Sequence, residues 1–381
     1  TSDLSNFPVL IKFLPNSDND LKHTSYGGHV GKTDGTDIFF TNDEGGKCDH
    51  EIEKFDPQTG ELVAWVKVPE LYWEANTTLY MYYGYASAAD QQNVSGVWSN
   101  GYVGVWHLHD DFNDSTGGNN GTNSGSVDDA GKIANGQYFD NTDDVYTGTN
   151  STMANASAVT ISAWIKPEPV QTQWAGILEY RDDPTTSDWE TVLEMKDSGK
   201  FSFGTWTVNG WHNLESNAVV PTTGFSYIVG VYDGTDKKTY IGGAHDKTEI
   251  PTGKTGNLRN NSRPFHIGRN PGDGRTFNGV IDEVRISNID RSQDWIETEY
   301  NNQSSPSTFY QVLGEEQPND VALDITGKGI TIEAWLKFDT DAPDNTGYLT
   351  KGGWSSGYRI NLTQTRELSY QLPGSSDTLY S

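Results

Sequence analysis

Apolar residues recur along the chain in runs of four to eight, alternating with polar ones and separated by clusters of Gly, Asn, Asp and Ser. Helical spacing is almost absent. This pattern predicts short antiparallel strands packed as a sandwich or jelly roll. In the first hundred residues the strand-like runs are FPVLIKF (7–13), DIFF (37–40), HEIEKF (50–55), LVAWVKV (62–68) and TLYMYYGY (78–85). Within the fourth run, Val63, Trp65 and Lys67 share one face while Leu62, Ala64, Val66 and Val68 share the other. Such alternation predicts a strand with one buried face, so this block reads as a small β-sandwich.

From about Tyr102 the texture changes. The run YVGVWHL (102–108) leads into an Asp/Asn/Gly-rich tract, 109–126, too polar to bury a core. Strand-like runs resume at 136–140, 159–167, 174–181, 189–195, 200–206, 226–233, 237–243, 263–269 and 279–287. One short helix is predicted over Ser292–Asn301, capped by Ser292 or Asp290, with Trp295, Ile296 and Tyr300 at helical spacing to pack beneath a sheet.

An internal repeat follows. VTISAWIKP (159–167) recurs as ITIEAWLKF (330–338), which sets Trp164 and Trp335 171 residues apart. The segments 174–183 and 189–203 find weaker echoes at 346–355 and 357–371. A period of that length is a tandem domain. The second copy runs out near Ser381 after about four strands, so it is expected to be completed either by further sequence in a longer protein or by a neighbouring chain. The predicted organisation is 1–100 small β-sandwich, 101–316 full jelly roll, and 317–381 incomplete second jelly roll.

Composition narrows the setting. Asp and Glu number 53 against 26 Lys and Arg, a net charge of −27 in 381 residues. That excess excludes a nucleic-acid partner and docking on an anionic membrane, both of which need a basic face. No run approaches the 18 or so apolar residues of a membrane span. The lone Cys48 excludes an intrachain disulfide and a cysteine zinc site, and is expected to be a small strand residue. Sequons occur at Asn76, Asn93, Asn113, Asn120, Asn150, Asn155, Asn260, Asn302 and Asn361, which fits an exported, glycosylated protein. A secreted, disulfide-free, acidic chain points to a prokaryotic cell surface or exterior.

GVWHL (104–108), ISAWIKP (161–167) and FNGVIDEVRIS (277–287), followed by the Trp295 helix, resemble the laminin-G-like, concanavalin-A-type jelly-roll family over Gly104–Glu316. The upstream block, with FPVLIKF, DGTDIFFTN (34–42), HEIEKFD (50–56), AWVKVP (64–69) and YMYYGY (80–85), is similar to a domain of unknown function that precedes such jelly rolls in secreted bacterial and archaeal proteins. That family carries one more strand at its start, so this chain resembles a fragment at both ends. The fold class is therefore all-β: a small β-sandwich, a concanavalin-A-like antiparallel jelly roll and a partial second one.

Three chemistries are candidates. Calcium takes Asp and backbone oxygens in Gly-rich turns, and acidic clusters stand at Asp110, Asp111, Asn113 and Asp114, at Asp140, Asp143 and Asp144, and at Asp182, Asp183 and Asp188. The family resemblance implies a structural Ca2+ held by Asp282 with Asp110 or Asp111. Against these, solvated turn aspartates are the ordinary use. Glycoside hydrolysis needs two carboxylates flanking one bond. The E-x-D-x-x-E strand of related retaining enzymes is missing; Glu51, Glu53 and Asp56 fall in the upstream block, and Glu190 and Glu194 lie about 13 Å apart along one strand. Asp282 and Glu283 are adjacent and are expected to point to opposite faces. His107 and His109 share a face but lack a third ligand, and no G-x-S-x-G nucleophile motif occurs. The chain is expected not to be an enzyme.

Aromatics give the third candidate. Trp174, Tyr180, Trp189, Trp206 and Trp211 cluster in the central strands of the jelly roll, the last three beside polar neighbours, as a sugar-stacking platform requires. Trp106 and Trp164 sit in apolar strands and are expected in the core. The leading expectation is a non-catalytic extracellular binding or adhesion module, recognising glycan or an extracellular protein on a calcium-stabilised jelly roll. The alternatives are a structural subunit that assembles with copies of itself in a filament or surface layer, and an accessory domain of a polysaccharide-degrading enzyme.

Overall fold

The computed structural model describes residues 2–140, 142–181, 189–271 and 274–314, together with strands at 346–353, 356–362, 368–371 and 378–380. Trp189 and the strands beyond 345 are described by their place in the sheets. The chain forms two compact units, Thr1–Glu315 and Glu316–Ser381.

The first unit begins with β1 (Leu4–Phe13), β2 (Phe39–Asn42), β3 (Lys47–Cys48), β4 (His50–Asp56), β5 (Glu61–Leu71) and β6 (Leu79–Tyr82). They pair as two antiparallel three-stranded sheets, ordered β1-β5-β4 and β3-β2-β6. After α1 (Val94–Val97) come β7 (Tyr102–Trp106), β8 (Thr122–Ser124), β9 (Val127–Ala130), β10 (Asn135–Phe139), β11 (Asp144–Tyr146), β12 (Val159–Pro167), β13 (Ala175–Arg181), β14 (Trp189–Met195), β15 (Phe201–Thr207) and β16 (Gly210–Glu215). They are followed by β17 (Ser226–Tyr232), β18 (Lys237–Ile241), β19 (Ala244–Glu249), β20 (Phe265–Ile267), β21 (Arg269–Asn270), β22 (Arg275–Thr276) and β23 (Gly279–Ser287). One sheet of the jelly roll runs β19-β18-β17-β12-β23-β10-β9 with β7 also on β23; the other runs β16-β15-β14-β13-β20-β11-β8 with β21 and β22 at its side. Between them lies a core that includes Trp106, Phe139, Ile161, Leu178, Tyr180, Phe203 and Phe265. The architecture is all-β, as the alternation predicts.

Helix α2 (Gln293–Ser304) is capped by Ser292, whose hydroxyl accepts from Trp295 N at 3.1 Å, and is followed by α3 (Pro306–Phe309). Ile296 and Tyr300 pack with Trp164, Tyr227 and Tyr240 on the outer face of the eight-stranded sheet. Trp164 is thus buried beneath α2 rather than between the sheets, with its Nε1 donating to Gln303 at 2.5 Å.

The upstream strand β5 departs from expectation. Leu62, Ala64 and Val66 enter the core of the upstream module, while Val63 and Trp65 enter a second core shared with Tyr102, Val105, Ile133 and Trp295 of the jelly-roll side. Both faces of β5 are buried because the jelly roll covers the face that alternation alone would leave to water. At the edge of the same sheet, α2 and Tyr310, just after α3, supply side chains to the free groups of β1. Leu10 N donates to Asn302 Oδ1 at 2.7 Å and Asn302 Nδ2 donates to Leu10 O at 3.1 Å. Lys12 N donates to the Tyr310 hydroxyl at 2.7 Å, which itself donates to Lys12 O at 2.9 Å.

The second unit contains an antiparallel sheet of β24 (Thr346–Gly353), β25 (Ser356–Leu362), β26 (Leu368–Gln371) and β27 (Thr378–Tyr380), in that order. The repeat element 330–338 with Trp335, and the acidic cluster Asp182, Asp183 and Asp188, lie outside the described residues.

Candidate functional site

In the nine-stranded sheet Leu178, Tyr180, Leu193, Met195, Phe201 and Phe203 point into the core. The alternate positions Glu179, Arg181, Glu190, Glu194 and Trp206 therefore lie on its outer face. Trp206 and Trp211 are direct cross-strand partners in the β15–β16 hairpin, half-buried, with ring centroids 6.0 Å apart. The Arg259 guanidinium lies 4.1 Å above the Trp206 ring. Its Nε and Nη2 donate to Glu190 Oε2 and Oε1 at 3.0 and 2.9 Å, a bidentate pair that fixes the guanidinium plane. Asn261 Nδ2 donates to the same Oε1 at 2.7 Å, and Arg263 Nε lies 3.7 Å from it. The result is a partly exposed aromatic pair bordered by a clamped guanidinium, a carboxylate and an amide.

A second cluster sits further along this face. Arg181 Nη1 donates to Asn270 Oδ1 at 2.6 Å, and Asn270 Nδ2 donates to Glu194 Oε1 at 3.1 Å. Burial pushes the Glu194 carboxyl up to about 7. Glu190 and Glu194 thus belong to separate clusters, one held by Arg259 and the other by Asn270.

The remaining expected platform residues separate. Tyr180 is corrected: it is 2% exposed in the sandwich core, 4.8 Å from the Phe265 ring, and its hydroxyl donates to Asn150 O at 2.7 Å. It offers no ring face to a ligand, because strand alternation on β13 turns it inward. Trp174 has Lys196 Nζ 4.3 Å from its ring, and Trp189 stands opposite Arg181 in the β13–β14 register.

Sequence reasoning missed a buried charge network where the upstream module meets the jelly roll. His107 Nδ1 lies 2.7 Å from Glu283 Oε1 and 3.5 Å from Glu53 Oε2, while Nε2 lies 3.2 Å from Glu51 Oε2. Glu51 also accepts from Trp98 Nε1 at 2.6 Å and Ser115 Oγ at 2.7 Å, and Glu53 accepts from Trp65 Nε1 at 2.8 Å. Arg285 donates to Glu283 at 2.5 Å and Glu299 at 2.6 Å, with its guanidinium 4.2 and 4.8 Å from the rings of Trp65 and Trp98. Burial lowers the affinity of His107 for a proton, but the carboxylates of Glu283, Glu51 and Glu53 outweigh it and hold the imidazole well above its usual range. Burial, reinforced by Glu283 and Asp282, pushes Glu53 up to about 8.

Two β-bulges build this cluster. On β4 the register against β5 shifts between Ile52 and Lys54, so Glu53 is the extra residue. On β23 Arg285 pairs with Ser162 and Asp282 with Trp164, leaving Glu283 and Val284 opposite Ala163. Glu283 takes φ 53°, a left-handed conformation uncommon for a side-chain-bearing residue. Ile281, Val284 and Ile286 all enter the core, so Asp282 and Glu283 both lie on the outer side. The expectation that they point to opposite faces is corrected by the bulge.

The calcium ligands inferred from resemblance each have partners within the chain. Asp282 Oδ2 accepts from the backbone of Lys132 and Ile133 at 2.6 and 3.0 Å, fixing the turn before β10. Asp110 is exposed beside His109, and exposed Asp111 accepts from Asn113 N at 2.9 Å in an Asx turn. Among the described residues, the group of three or more metal-capable side chains with mutually close ligand atoms is Glu53, His107 and Glu283. The polar tract after β7 is organised instead by buried Asp114. Its Oδ1 accepts from Val105 N and Thr116 N, each at 2.9 Å, and its Oδ2 from Thr116 Oγ1, Gly118 N, Asn119 N and Asn119 Nδ2.

Of the sequons, Asn76, Asn93, Asn113, Asn120, Asn155 and Asn260 are exposed and Asn150 is half-buried. Asn302 is corrected: it is 1% exposed and committed to Leu10, so it is no glycan acceptor in the folded chain. Asn361 lies on β25, its side chain outside the described residues.

Among the described residues no helix is long and apolar enough to cross a membrane. No curated protein matches the sequence. Among solved structures, domain 4 of AbnA, a GH43 extracellular arabinanase from Geobacillus stearothermophilus solved with arabinotriose, is 18% identical with a TM-score of 0.42, covering 51% of this chain and 96% of that one. The binding domain of Paraclostridial Mosquitocidal Protein 1 is 13% identical with a TM-score of 0.44, covering 54% of this chain and 52% of that one. Trypanosoma rangeli sialidase with the inhibitor DANA is 13% identical with a TM-score of 0.42, covering 52% of this chain and 32% of that one. The chain thus spans about half of the second relative and about a third of the third. Residues 34–125 match the Domain of unknown function (DUF2341), and residues 139–297 match the Concanavalin A-like lectin/glucanases superfamily. The chain therefore carries, in this order, a DUF2341 domain and a concanavalin A-like lectin/glucanase domain.

Proposed function

We propose that the chain is a non-catalytic, extracellular recognition module that binds glycan on the outer face of the nine-stranded sheet. The observation that carries this reading is the Trp206–Trp211 pair beside an Arg259 held flat by Glu190. Sugar rings present C–H faces that stack on aromatic rings and hydroxyls that need fixed donors and acceptors. Here the indoles supply the first, and Arg259, Glu190 and Asn261 supply the second with little further ordering cost on binding.

Support also comes from the family match, whose members are described as lectins and glucanases. The exposed sequons and the surplus of negative charge suit a secreted, soluble surface protein. The test is a broad glycan array followed by affinity electrophoresis in polysaccharide gels. Retention that Trp206→Ala and Trp211→Ala each weaken at least tenfold supports the reading. Retention unchanged in both variants overturns this site, and release of reducing ends from any polysaccharide overturns the non-catalytic claim.

A further inference from the structure

The network between the two modules holds more carboxylate than its cations can answer. Glu51, Glu53 and Glu283 each place an oxygen within 3.5 Å of His107. Arg285, the other cation of the network, is turned to Glu283 and Glu299. The Glu53 side chain is 2% exposed, yet its Oε1 has no hydrogen-bond partner. A buried carboxylate oxygen without a donor is costly unless a cation faces it.

The donor atoms are also oriented as ligands are. Glu51 takes the Nε2 side of His107, which leaves Nδ1 toward Glu53 and Glu283. Trp65 holds one oxygen of Glu53 and Arg285 holds Oε2 of Glu283. Each potential ligand thus has an outer partner that fixes its direction, the arrangement that surrounds metal ligands. Ligand atoms of Glu53, His107 and Glu283 all lie within 4.8 Å of one another.

We propose that Glu53, His107 and Glu283 form a structural site for one divalent transition-metal ion, best matched by Zn2+, that clamps the upstream domain to the jelly roll. One imidazole nitrogen with two carboxylates is a borderline donor set, which suits Zn2+ better than an all-oxygen cation such as Ca2+. Glu53 comes from β4, whereas His107 follows β7 and Glu283 lies on β23, so the site exists only when the two modules are docked. Metal binding and docking are then one equilibrium. Both carboxylates reach the site from β-bulges, and Glu283 holds a left-handed backbone to do so. Bulges that re-aim a side chain recur at functional sites.

The experiment uses the whole chain, stripped with EDTA, dialysed, and titrated separately with Zn2+ and Ca2+. Bound metal is counted by mass spectrometry after gel filtration, and melting is followed in parallel. One retained equivalent of Zn2+, a melting temperature raised by several degrees, and loss of both in Glu53→Gln support the site. No retained equivalent of Zn2+, a preference for Ca2+, or full Zn2+ retention in Glu53→Gln overturns it. Should that variant fail to fold, X-ray absorption on the wild-type Zn2+ form decides. One imidazole nitrogen and carboxylate oxygens at about 2.0–2.2 Å support the assignment, and a first shell lacking imidazole overturns it.

Discussion

The carboxamide of Asn302 stands in for a β-strand at Leu10, accepting its N–H at 2.7 Å and donating to its carbonyl at 3.1 Å. An edge strand normally leaves such groups to water or to another chain. Here they are closed by a helix of the neighbouring domain.

Asn302→Ala leaves the buried donor and acceptor of Leu10 unpaired, at a cost of about 2–4 kcal/mol. The expected result is a melting temperature several degrees lower by calorimetry. If the chain is expressed in a glycosylating host, peptide mapping is expected to find Asn302 unmodified while exposed sites such as Asn76 and Asn260 carry glycan. Modification of Asn302 in folded protein would contradict its burial.

Asp114 gathers donors from Val105, Thr116, Gly118 and Asn119 around one carboxylate. Asp114→Ala should cost about 3 kcal/mol in urea unfolding, since several charge-assisted bonds lose their acceptor together. Asp114→Asn, which keeps one acceptor oxygen, should fall between. Addition of Ca2+ should not rescue either variant, because the carboxylate is saturated by protein donors.

Glu194 gives a pH signature. Burial raises its folded-state carboxyl from the ordinary 4.5 to about 7, so the native state binds a proton that the unfolded chain releases earlier. Stability linked to this group is fully present below about pH 4.5 and declines as pH rises through 7. Glu194→Gln, neutral at all pH, should flatten that part of the melting profile and be more stable than wild type at pH 8. An unchanged slope between pH 5 and 8 would remove Glu194 as its source.

Arg259→Lys tests whether the flat guanidinium matters beyond its charge. A lysine keeps the positive charge near Glu190 but loses the bidentate fork and the stack on Trp206. Glycan retention should weaken about tenfold with little change in melting temperature. Retention equal to wild type would leave Trp206 and Trp211 as the whole platform.

Much of the fold was legible because strands announce themselves by alternation. Ser292 likewise marked the start of α2 through its capping chemistry. What alternation cannot show is a second partner. β5 looked half-buried because nothing local says that a jelly roll covers the Val63 and Trp65 face. The charge network was hidden for a related reason. Glu53 and Glu283 reach His107 through bulges, each of which breaks the period-two alternation of its strand. The available signal was the group of charged residues Asp282, Glu283 and Arg285 within one strand. Trp206 and Trp211 stand opposite each other because a tight hairpin sets their register, while Tyr180 was expected on the platform although β13 turns it into the core.

The clasp on β1 has a mechanical consequence. Leu10 and Lys12 are tied to Asn302 and Tyr310 across sequence separations of 292 and 298 residues. A pull applied between β1 and α3 is therefore borne first by these four hydrogen bonds in parallel, in a path that bypasses the jelly roll between them. While they hold, the sandwich and its outer face stay out of the line of force.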